Sequence, residues 1–314
     1  RYVAAMSILL LAAFVWVLAA RAGLLTPTED SLRARYALSD SNFLTVDGQT
    51  VHYVDRGHGP AIVLLHGSFG SLHMWNDWDR ELGSHYRVIR FDRPRMGLSG
   101  ASPAGRTDTE QELQIIDELT RHLGVERFFL VGTSSAGVAA AAYAADHPQQ
   151  IRGLLLANVA VGAFKPATVQ RPLLFRVLLA IDPWLKGWRS AAFWQQVLAA
   201  NFYEAASVKP ELAREWADLN NRAQRMPPST QLASLMAAFE RTISDLRRIT
   251  VPTLLLWSEH DHAPPLETTG RRGFALLAAV DKQLEVVQDC GHMMPLECGV
   301  ESASNARRFF ERVV

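Results

Sequence analysis

The 314-residue sequence has little of several features that define whole protein classes. Its two cysteines are too few for a disulfide scaffold or a thiolate zinc cluster. Basic and acidic residues number 32 each, so no excess positive charge is available to hold a nucleic-acid backbone. Only 20% of the residues are charged and 48% are hydrophobic, which excludes disorder as the dominant state. The composition therefore predicts a globular protein with no nucleic-acid partner.

The first residues form one long apolar run. Residues 3–20 carry no charge, and Arg1 and Arg21 bracket them. As a helix this run would extend roughly 27 Å, close to the hydrocarbon thickness of a bilayer. We predict that residues 1–22 form a membrane-anchoring helix and that residues 23–41 form a linker. This prediction makes the membrane a partner through the N-terminal helix, and it leaves the oligomeric state open.

A cleavable signal peptide is the alternative for the same run. Ala20-Arg21-Ala22 resembles a cleavage site, but the apolar part of a signal peptide usually has only about 7–15 residues. A retained signal anchor would place the rest of the chain outside the cytoplasm, in the periplasm of a bacterium. Cleavage would instead release a secreted protein.

From Asn42 onward, strand-like and helix-like patterns alternate. Residues 43–54 predict a β-hairpin around the turn Asp47-Gly48. Short apolar runs such as residues 61–65 and 253–257 are typical of strands buried on both faces. The alternation predicts an α/β fold over residues 42–160 and 249–314, with a mainly parallel sheet and helices on both of its faces.

Residues 161–248 interrupt this alternation with several helical patterns. The segment holds 12 basic and 7 acidic residues, a net charge of +5. It also holds four of the eight tryptophans, namely Trp184, Trp188, Trp194 and Trp216. Ligands of open α/β sheets bind at the carboxyl edge of the strands, and an insertion here would cover that edge. We predict a helical cap, with some of its aromatic residues packing together and others lining an apolar substrate pocket.

A glycine- and serine-rich turn separates a predicted buried strand from an alanine-rich helix. It has the sequence Gly132-Thr133-Ser134-Ser135-Ala136. A sharp strand–turn–helix connection needs small residues on either side of its apex because the backbone there is strained and closely packed. Ser134 at the apex is the predicted nucleophile. Ser135 is the alternative, although Thr133 would then occupy a position that needs a small residue.

A nucleophilic serine needs a base and an acid that orients the base. His292 follows an apolar strand, and Asp261 follows the preceding one. Because the carboxyl ends of parallel strands share one edge of a sheet, we expect both side chains near Ser134. Three other acidic residues could replace Asp261 in this role: Glu259, Asp245 and Asp289.

From Asn42 to its C-terminus, the chain resembles the α/β-hydrolase superfamily, in the branch of capped esterases, lipases and carbon–carbon bond hydrolases. The resemblance is carried by five motifs: Leu65-His66-Gly67-Ser68, the stretch from Phe91 to Ser99, Gly132 to Gly137, Trp257 to Asp261, and Cys290-Gly291-His292. The resemblance implies that Ser134 is the nucleophile, Asp261 the acid and His292 the base, in the family's chain order.

The resemblance also implies two backbone N–H groups that hold the oxyanion of a tetrahedral intermediate. One belongs to Ser135, the residue after the nucleophile. The other is assigned to Ser68, with Phe69 as the second choice. Neither a metal nor an organic cofactor is implied.

Four positions depart from the family pattern or stay ambiguous. Arg95 stands where the family usually has glycine, so we expect a local change of shape. Carbon–carbon hydrolases commonly carry tryptophan after the catalytic histidine, where this chain has Met293. Cys290 and Cys298 flank His292 and are either a disulfide pair or small apolar fillers.

Together these features predict a serine hydrolase that cleaves a small-molecule carboxylic ester through an acyl-enzyme. The apolar N-terminus and the aromatic, basic cap suggest a hydrophobic, lipid-like substrate. Carbon–carbon bond hydrolysis with the same triad is the first alternative. The second comes from another class, a non-catalytic ligand-binding protein with the same fold.

Overall fold

A computed structural model describes residues 2–162, 172–226 and 231–314. Within these residues eight strands form one sheet. They are β1 (Ser41–Val46), β2 (Gln49–Arg56), β3 (Ala61–Leu65), β4 (Arg87–Phe91), β5 (Phe128–Thr133), β6 (Ile151–Ala157), β7 (Thr253–Ser258) and β8 (Lys282–Val287). Their order across the sheet is β1-β2-β4-β3-β5-β6-β7-β8.

Strands β3 to β8 run parallel to one another, and β1 and β2 add an antiparallel edge. Strand β3 shows why its sequence reads as a continuous apolar run. Ile62 and Leu64 face one hydrophobic core, and Val63 and Leu65 face the other. Successive side chains of a strand point to opposite faces, so a central strand between two cores needs apolar residues at every position. The predicted mainly parallel sheet is confirmed.

Twelve α-helices lie within the described residues. They are α1 (Tyr2–Arg21), α2 (Glu29–Tyr36), α3 (Asn76–Leu82), α4 (Thr109–His122), α5 (Ala136–Asp146), α6 (Leu173–Ile181), α7 (Ala191–Ala199), α8 (Pro210–Asn221), α9 (Gln231–Leu246), α10 (Arg271–Leu276), α11 (Met294–Glu297) and α12 (Gly299–Val313). Helices α4 and α5 contribute to one core and α3 and α12 to the other, so both faces of the sheet are covered.

Helices α6 to α9 follow β6 and precede β7, as expected of an inserted cap. Residues 163–171 and 227–230 of the predicted segment 161–248 lie outside the described residues. Trp194 and Trp216 pack in the core of the cap with their ring centroids 5.6 Å apart. Trp184 is 68% exposed, and Trp188 packs against helix α1. The described tryptophans of the cap therefore either pack against other residues or are exposed to solvent. None of them lines the cavity described below.

The structure does not support the predicted membrane anchor. Among the residues it describes, none of the helices combines the length and the apolar character needed to cross a membrane. Helix α1 instead packs its carboxyl end on the cap: Ala20 is fully buried with Leu185 and Trp188. The Arg21 side chain also donates a hydrogen bond to the carbonyl oxygen of Trp184. Arg1 lies outside the described residues.

The predicted linker contains a helix of its own. Helix α2 begins after Thr28, whose side-chain oxygen accepts a hydrogen bond from the backbone N–H of Ser31. Such a cap satisfies one of the N–H groups left free at the start of a helix. The Arg222 guanidinium of the cap then pairs with Glu29 at 2.8 Å. Residues 23–41 are therefore attached to the cap rather than extended away from it.

Candidate active site

Three predicted site residues meet at the carboxyl edge of the sheet. Ser134 follows β5, Asp261 follows β7, and His292 follows β8. The Nε2 atom of His292 lies 3.0 Å from Ser134 Oγ, and its Nδ1 atom lies 2.8 Å from Asp261 Oδ2. The structure therefore brings a hydroxyl, an imidazole and a carboxylate into one hydrogen-bonded row, although 158 and 31 positions separate the paired residues in the chain.

The turn at Ser134 is sharp. Ser134 has φ 53°, a left-handed conformation that costs energy for a residue with a side chain. A Cβ atom at Gly132 would lie 2.8 Å from both the carbonyl oxygen of Ala136 and the Cβ of Ala140. Gly132 therefore lets strand β5 and helix α5 approach closely, while Ala136 is fully buried without obstructing the turn. The turn lifts the Ser134 hydroxyl above the edge of the sheet, where it is only half-buried.

Asp261 controls both the orientation and the basicity of His292. Its Oδ2 atom accepts the ring hydrogen bond, and its Oδ1 atom accepts the backbone N–H of Ala263 at 2.8 Å. Burial acts to lower the pKa of His292, but the charge and the hydrogen bond of Asp261 outweigh burial and raise that pKa above 6.5. A neutral His292 would hold its proton on Nδ1, which leaves Nε2 free to accept the proton of Ser134.

The alternative candidates for the nucleophile and for the acid have other partners. The Ser135 hydroxyl contacts Ser68 and Arg93. Asp245 is buried at the end of α9 beside Arg241 and Arg248, and burial raises its pKa. Of the remaining two rivals, Glu259 accepts the backbone N–H of Asp289 through its carboxylate oxygen Oε2 at 3.2 Å. The structure thus brings Asp261, and none of the three rival carboxylates, into contact with the imidazole of His292.

The predicted oxyanion donors lie beside Ser134. A Cβ atom at Gly67, the residue before Ser68, would lie 3.1 Å from the Cβ of Ser134. The side-chain oxygens of Ser68 and Ser135 lie 2.8 Å apart, which brings the two loops together. Phe69 has φ 63° and lines the neighbouring cavity. The loops that carry the assigned N–H groups therefore flank Ser134.

His66 fixes the first of these loops. Burial lowers the pKa of His66 to about 4, so the imidazole is neutral at pH 7. Its Nε2 atom accepts the backbone N–H of Arg93 at 2.9 Å, so the ring proton resides on Nδ1 and is donated to the carbonyl oxygen of Gly67 at 2.8 Å. This carbonyl and the N–H of Ser68 belong to one peptide unit. The ring therefore fixes the direction in which the Ser68 N–H points.

A cavity of about 250 Å³ opens next to these donors, between the sheet edge and helix α9 of the cap. Its walls are mixed: Phe69, Pro94, Met96 and the start of helix α5 are largely apolar, whereas residues 107–112, at the start of helix α4, add polar and acidic groups. Arg93 also lines it and forms a bidentate ion pair with Glu112; both side chains are at most 10% exposed. The charge of this arginine is therefore matched within the protein.

Two further residues shape the site without having been assigned a role from the sequence. The buried amide of Asn158 donates to Ser258 Oγ at 2.9 Å and to the backbone carbonyl of His292 at 3.1 Å, which ties the His292 loop to the ends of β6 and β7. Arg95 has φ 66°. Arg95 therefore holds a conformation that glycine adopts without strain, and the expected change of shape of this loop stays a prediction. For Asn158, the only signal in the sequence is its position directly after an apolar strand.

Cys290 and Cys298, left open by the sequence, form a disulfide around the His292 loop. Nearby, Glu259, His260 and Asp289 place ligand atoms within 4.8 Å of one another, as a metal site would require. These side chains are largely exposed, and exposed acidic groups commonly lie this close without a metal. The absence of a metal from the function stays a prediction.

Comparison with known proteins identifies the fold family. Residues 60–297 match the sequence model of the alpha/beta hydrolase fold family. A 2-hydroxy-6-oxononadienedioate/2-hydroxy-6-oxononatrienedioate hydrolase of Cupriavidus pinatubonensis is 26% identical over 269 residues, which cover 80% of this chain and 89% of that one. A 2-hydroxy-6-oxo-6-phenylhexa-2,4-dienoate hydrolase of Burkholderia cepacia is 25% identical over 268 residues, covering 80% and 90%.

Two solved structures are similar over most of the chain. A membrane phospholipase A, described as a bacterial virulence factor, superposes with a TM-score of 0.68 at 25% identity and covers 100% of this chain and 98% of that one. A meta-cleavage product hydrolase of Pseudomonas fluorescens superposes with a TM-score of 0.72 at 21% identity, covering 87% and 98%. The second likeness shows the fold alone.

Proposed function

Because the chain belongs to the alpha/beta hydrolase fold family, we propose that it is a serine hydrolase that cleaves carboxylic esters of hydrophobic acids through an acyl-enzyme at Ser134. The observation that carries this proposal is the hydrogen-bonded row of Ser134, His292 and Asp261, next to a cavity with an apolar side formed by Phe69, Pro94 and Met96.

The proposed reaction uses each member of this row in turn. His292 accepts the Ser134 proton through Nε2 while the serine oxygen attacks the ester carbonyl, and it then returns that proton to the leaving alcohol. In the second step His292 takes a proton from water as the water attacks the acyl-enzyme, and it gives that proton to Ser134 Oγ as the carboxylic acid leaves. Asp261 stabilises the imidazolium that forms between these steps. The backbone N–H groups of Ser68 and Ser135 bind the oxyanion. The loss of one such donor typically costs about 10²–10³ in rate.

The charges of the cavity favour an uncharged acyl group. Its described lining contains one arginine, Arg93, against two carboxylates, Asp108 and Glu112. The arginine already pairs with Glu112, so a substrate carboxylate would find no unmatched positive charge there. A volume of about 250 Å³ is slightly below the range of roughly 300–1,000 Å³ usual for ligand pockets. Together these properties favour a small or medium-sized neutral acyl chain. The likeness to a membrane phospholipase A over the whole chain supports an ester substrate.

Carbon–carbon bond hydrolysis is the second candidate, and the curated relatives favour it over ester hydrolysis. Their names specify 2-hydroxy-6-oxo-dienoates, vinylogous diketones that carry a carboxylate. The same row of side chains could serve that reaction. Met293, at the position where such enzymes commonly have tryptophan, and the matched charge of Arg93 are the features of this chain that count against it.

One assay separates the two reactions. Purified protein is offered p-nitrophenyl esters of increasing acyl length and, in parallel, a 2-hydroxy-6-oxo-dienoate whose yellow colour is lost on cleavage. The proposal requires ester turnover with kcat/KM at least tenfold above that for the dienoate. Faster cleavage of the dienoate would establish the second candidate instead.

Covalent labelling distinguishes the proposed hydrolase from a binding protein without activity. A fluorophosphonate reacts with an activated serine, so it should label the wild-type protein and leave Ser134→Ala unlabelled. A folded wild-type protein that resists labelling would favour the binding protein. Equal turnover of soluble short-chain esters and of acylglycerols would remove the lipid-like part of the substrate prediction.

Location outside the cytoplasm is also a proposal. The Cys290–Cys298 disulfide supports an oxidising compartment, because disulfides are rare in cytosolic proteins. Fractionation of the native host, with alkylation of free thiols at lysis, tests it: oxidised cysteines are expected in the extracytoplasmic fraction. Reduced cysteines in the cytosolic fraction would contradict it.

A further inference from the structure

A short segment of the cap, residues 201–204, contacts both loops that carry the proposed acid and base. Its Asn201 carbonyl accepts the backbone N–H of Met293, the residue after His292, at 3.4 Å. Its Tyr203 ring stacks on the ring of His260, the residue before Asp261, with centroids 4.1 Å apart and planes within 10°. One cap segment therefore contacts the residue next to Asp261 and the residue next to His292.

Glu297 joins this cap segment to the His292 loop. Its Oε2 atom accepts the backbone N–H of Gly291 at 2.8 Å and that of Tyr203 at 3.0 Å. Its Oε1 atom accepts the backbone N–H of Glu204 at 2.8 Å. The carboxylate thus binds one N–H beside His292 and two from the cap. The Cys290–Cys298 disulfide encloses the loop in which Gly291 and Glu297 lie.

The two segments approach too closely for a side chain at Gly291. A Cβ atom there would lie 2.6 Å from the carbonyl oxygen of Asn201 and 2.7 Å from the carbonyl carbon of Phe202. Gly291 has no positive φ that would require glycine. Glycine at this position is therefore explained by the contact between the loop and the cap.

We propose that Glu297 is a positioning residue that makes the placement of His292 depend on the position of the cap. The carboxylate is suited to this role because its two oxygens accept three N–H groups, while glutamine would turn its own NH₂ group towards one of them. When the cap segment 201–204 is in place, His292 is held against Asp261; when it moves away, the loop loses that support. This inference rests on the proposed function.

The test compares Glu297→Gln with Glu301→Gln, which removes the same charge from an exposed position four residues further along the chain. We expect Glu297→Gln to lower the rate of fluorophosphonate labelling about tenfold or more, because small displacements of a catalytic group have large effects on rate. Glu301→Gln should label within twofold of wild type. Rates are compared well below each variant's Tm and are divided by the fraction of folded protein.

A second readout separates positioning from simple stabilisation. The pKa of His292, followed by NMR of its ring protons, should fall in Glu297→Gln because the imidazole loses contact with the Asp261 charge. A Glu297 that only stabilised the fold would lower Tm and leave the pKa of His292 and the labelling rate per folded molecule unchanged, which would overturn the inference.

Tyr203→Ala provides a milder variant of the same contact. Tyr203 is 47% exposed, so its removal leaves the core intact, and a smaller fall in labelling rate is expected. An unchanged rate in both Tyr203→Ala and Glu297→Gln would also overturn the inference. If the wild-type protein resists labelling, the proposed function is refuted. The NMR titration of His292 then still tests whether Glu297 is a positioning residue.

Discussion

Replacing Asp261 by asparagine isolates the electrostatic part of the mechanism. The side chain of Asp261 is fully buried, and its two oxygens have different partners. The asparagine oxygen should remain on the N–H of Ala263, since two N–H groups would otherwise face each other. The asparagine NH₂ group then points at His292 Nδ1. That nitrogen must accept a hydrogen bond, so the ring proton moves to Nε2 and faces Ser134.

In this tautomer His292 cannot take the Ser134 proton. We expect kcat to fall roughly 10⁴-fold, the size of loss known for the same substitution in a serine protease triad. The pH dependence should change as well. Activity needs neutral His292, so the acid limb of the wild-type profile lies at the raised pKa, above 6.5. Without the Asp261 charge, burial alone acts on the imidazole, and the acid limb should move to lower pH.

The assay is a pH profile of kcat/KM with the best p-nitrophenyl ester, normalised by fluorophosphonate titration of active sites. Glu259→Gln, which removes the neighbouring rival carboxylate, is the matched control and should stay within about threefold of wild type, since exposed hydrogen bonds contribute little. Retention of more than a tenth of kcat in Asp261→Asn, or an acid limb that does not move, would refute the assignment of the acid.

Three further outcomes concern stability. Gly132→Ala should destabilise the fold by about 1–3 kcal/mol, because its Cβ would lie 2.8 Å from Ala136 O; a normal Tm would contradict this. Burial acts to raise the pKa of Asp92, but hydrogen bonds to His52 and to a backbone N–H outweigh burial and lower it to about 2. Asp92 should therefore add about 2 kcal/mol above pH 4, lost as pH falls towards 2, and urea titrations of Asp92→Asn should lack that pH dependence. Arg93→Met should cost roughly 3–5 kcal/mol in urea unfolding by leaving Glu112 buried and unpaired, and Arg93→Met/Glu112→Leu should recover most of it.

The sheet could be predicted because its central strands contain short apolar runs that polar or turn-forming segments separate. Strand β3 faces two cores, so its five residues all had to be apolar. Helix α4 begins at Thr109 because the side chain of Asp108 caps its first turn. Periodicity and capping residues are local, so they can be read without knowing the fold.

The positions of Ser134 and His292 could be predicted for a related reason. Both follow apolar strands, and strand order places their ends at one edge. The contacts of Asn158 and Glu297 could not be predicted in this way. Asn158 acts through Ser258, 100 positions away, and Glu297 through backbone groups of the cap, 93 and 94 positions away. Such contacts depend on how the cap and the loops pack, so no local sequence pattern indicates them.

The structure does not support the predicted membrane-spanning helix. Ala20 at the carboxyl end of α1 is buried against the cap, whereas Leu9 and Phe14 earlier in the helix are exposed. The distribution of apolar residues along one segment does not reveal which of them contact the rest of the protein.

Mass spectrometry of the trapped intermediate tests the central claim most directly. Wild-type protein mixed rapidly with a p-nitrophenyl ester and quenched in acid should carry one acyl group on the peptide that contains Ser134, and Ser134→Ala should carry none. An acyl group on Ser135, or turnover with no acylated peptide in the wild-type protein under the same quench, would contradict the mechanism.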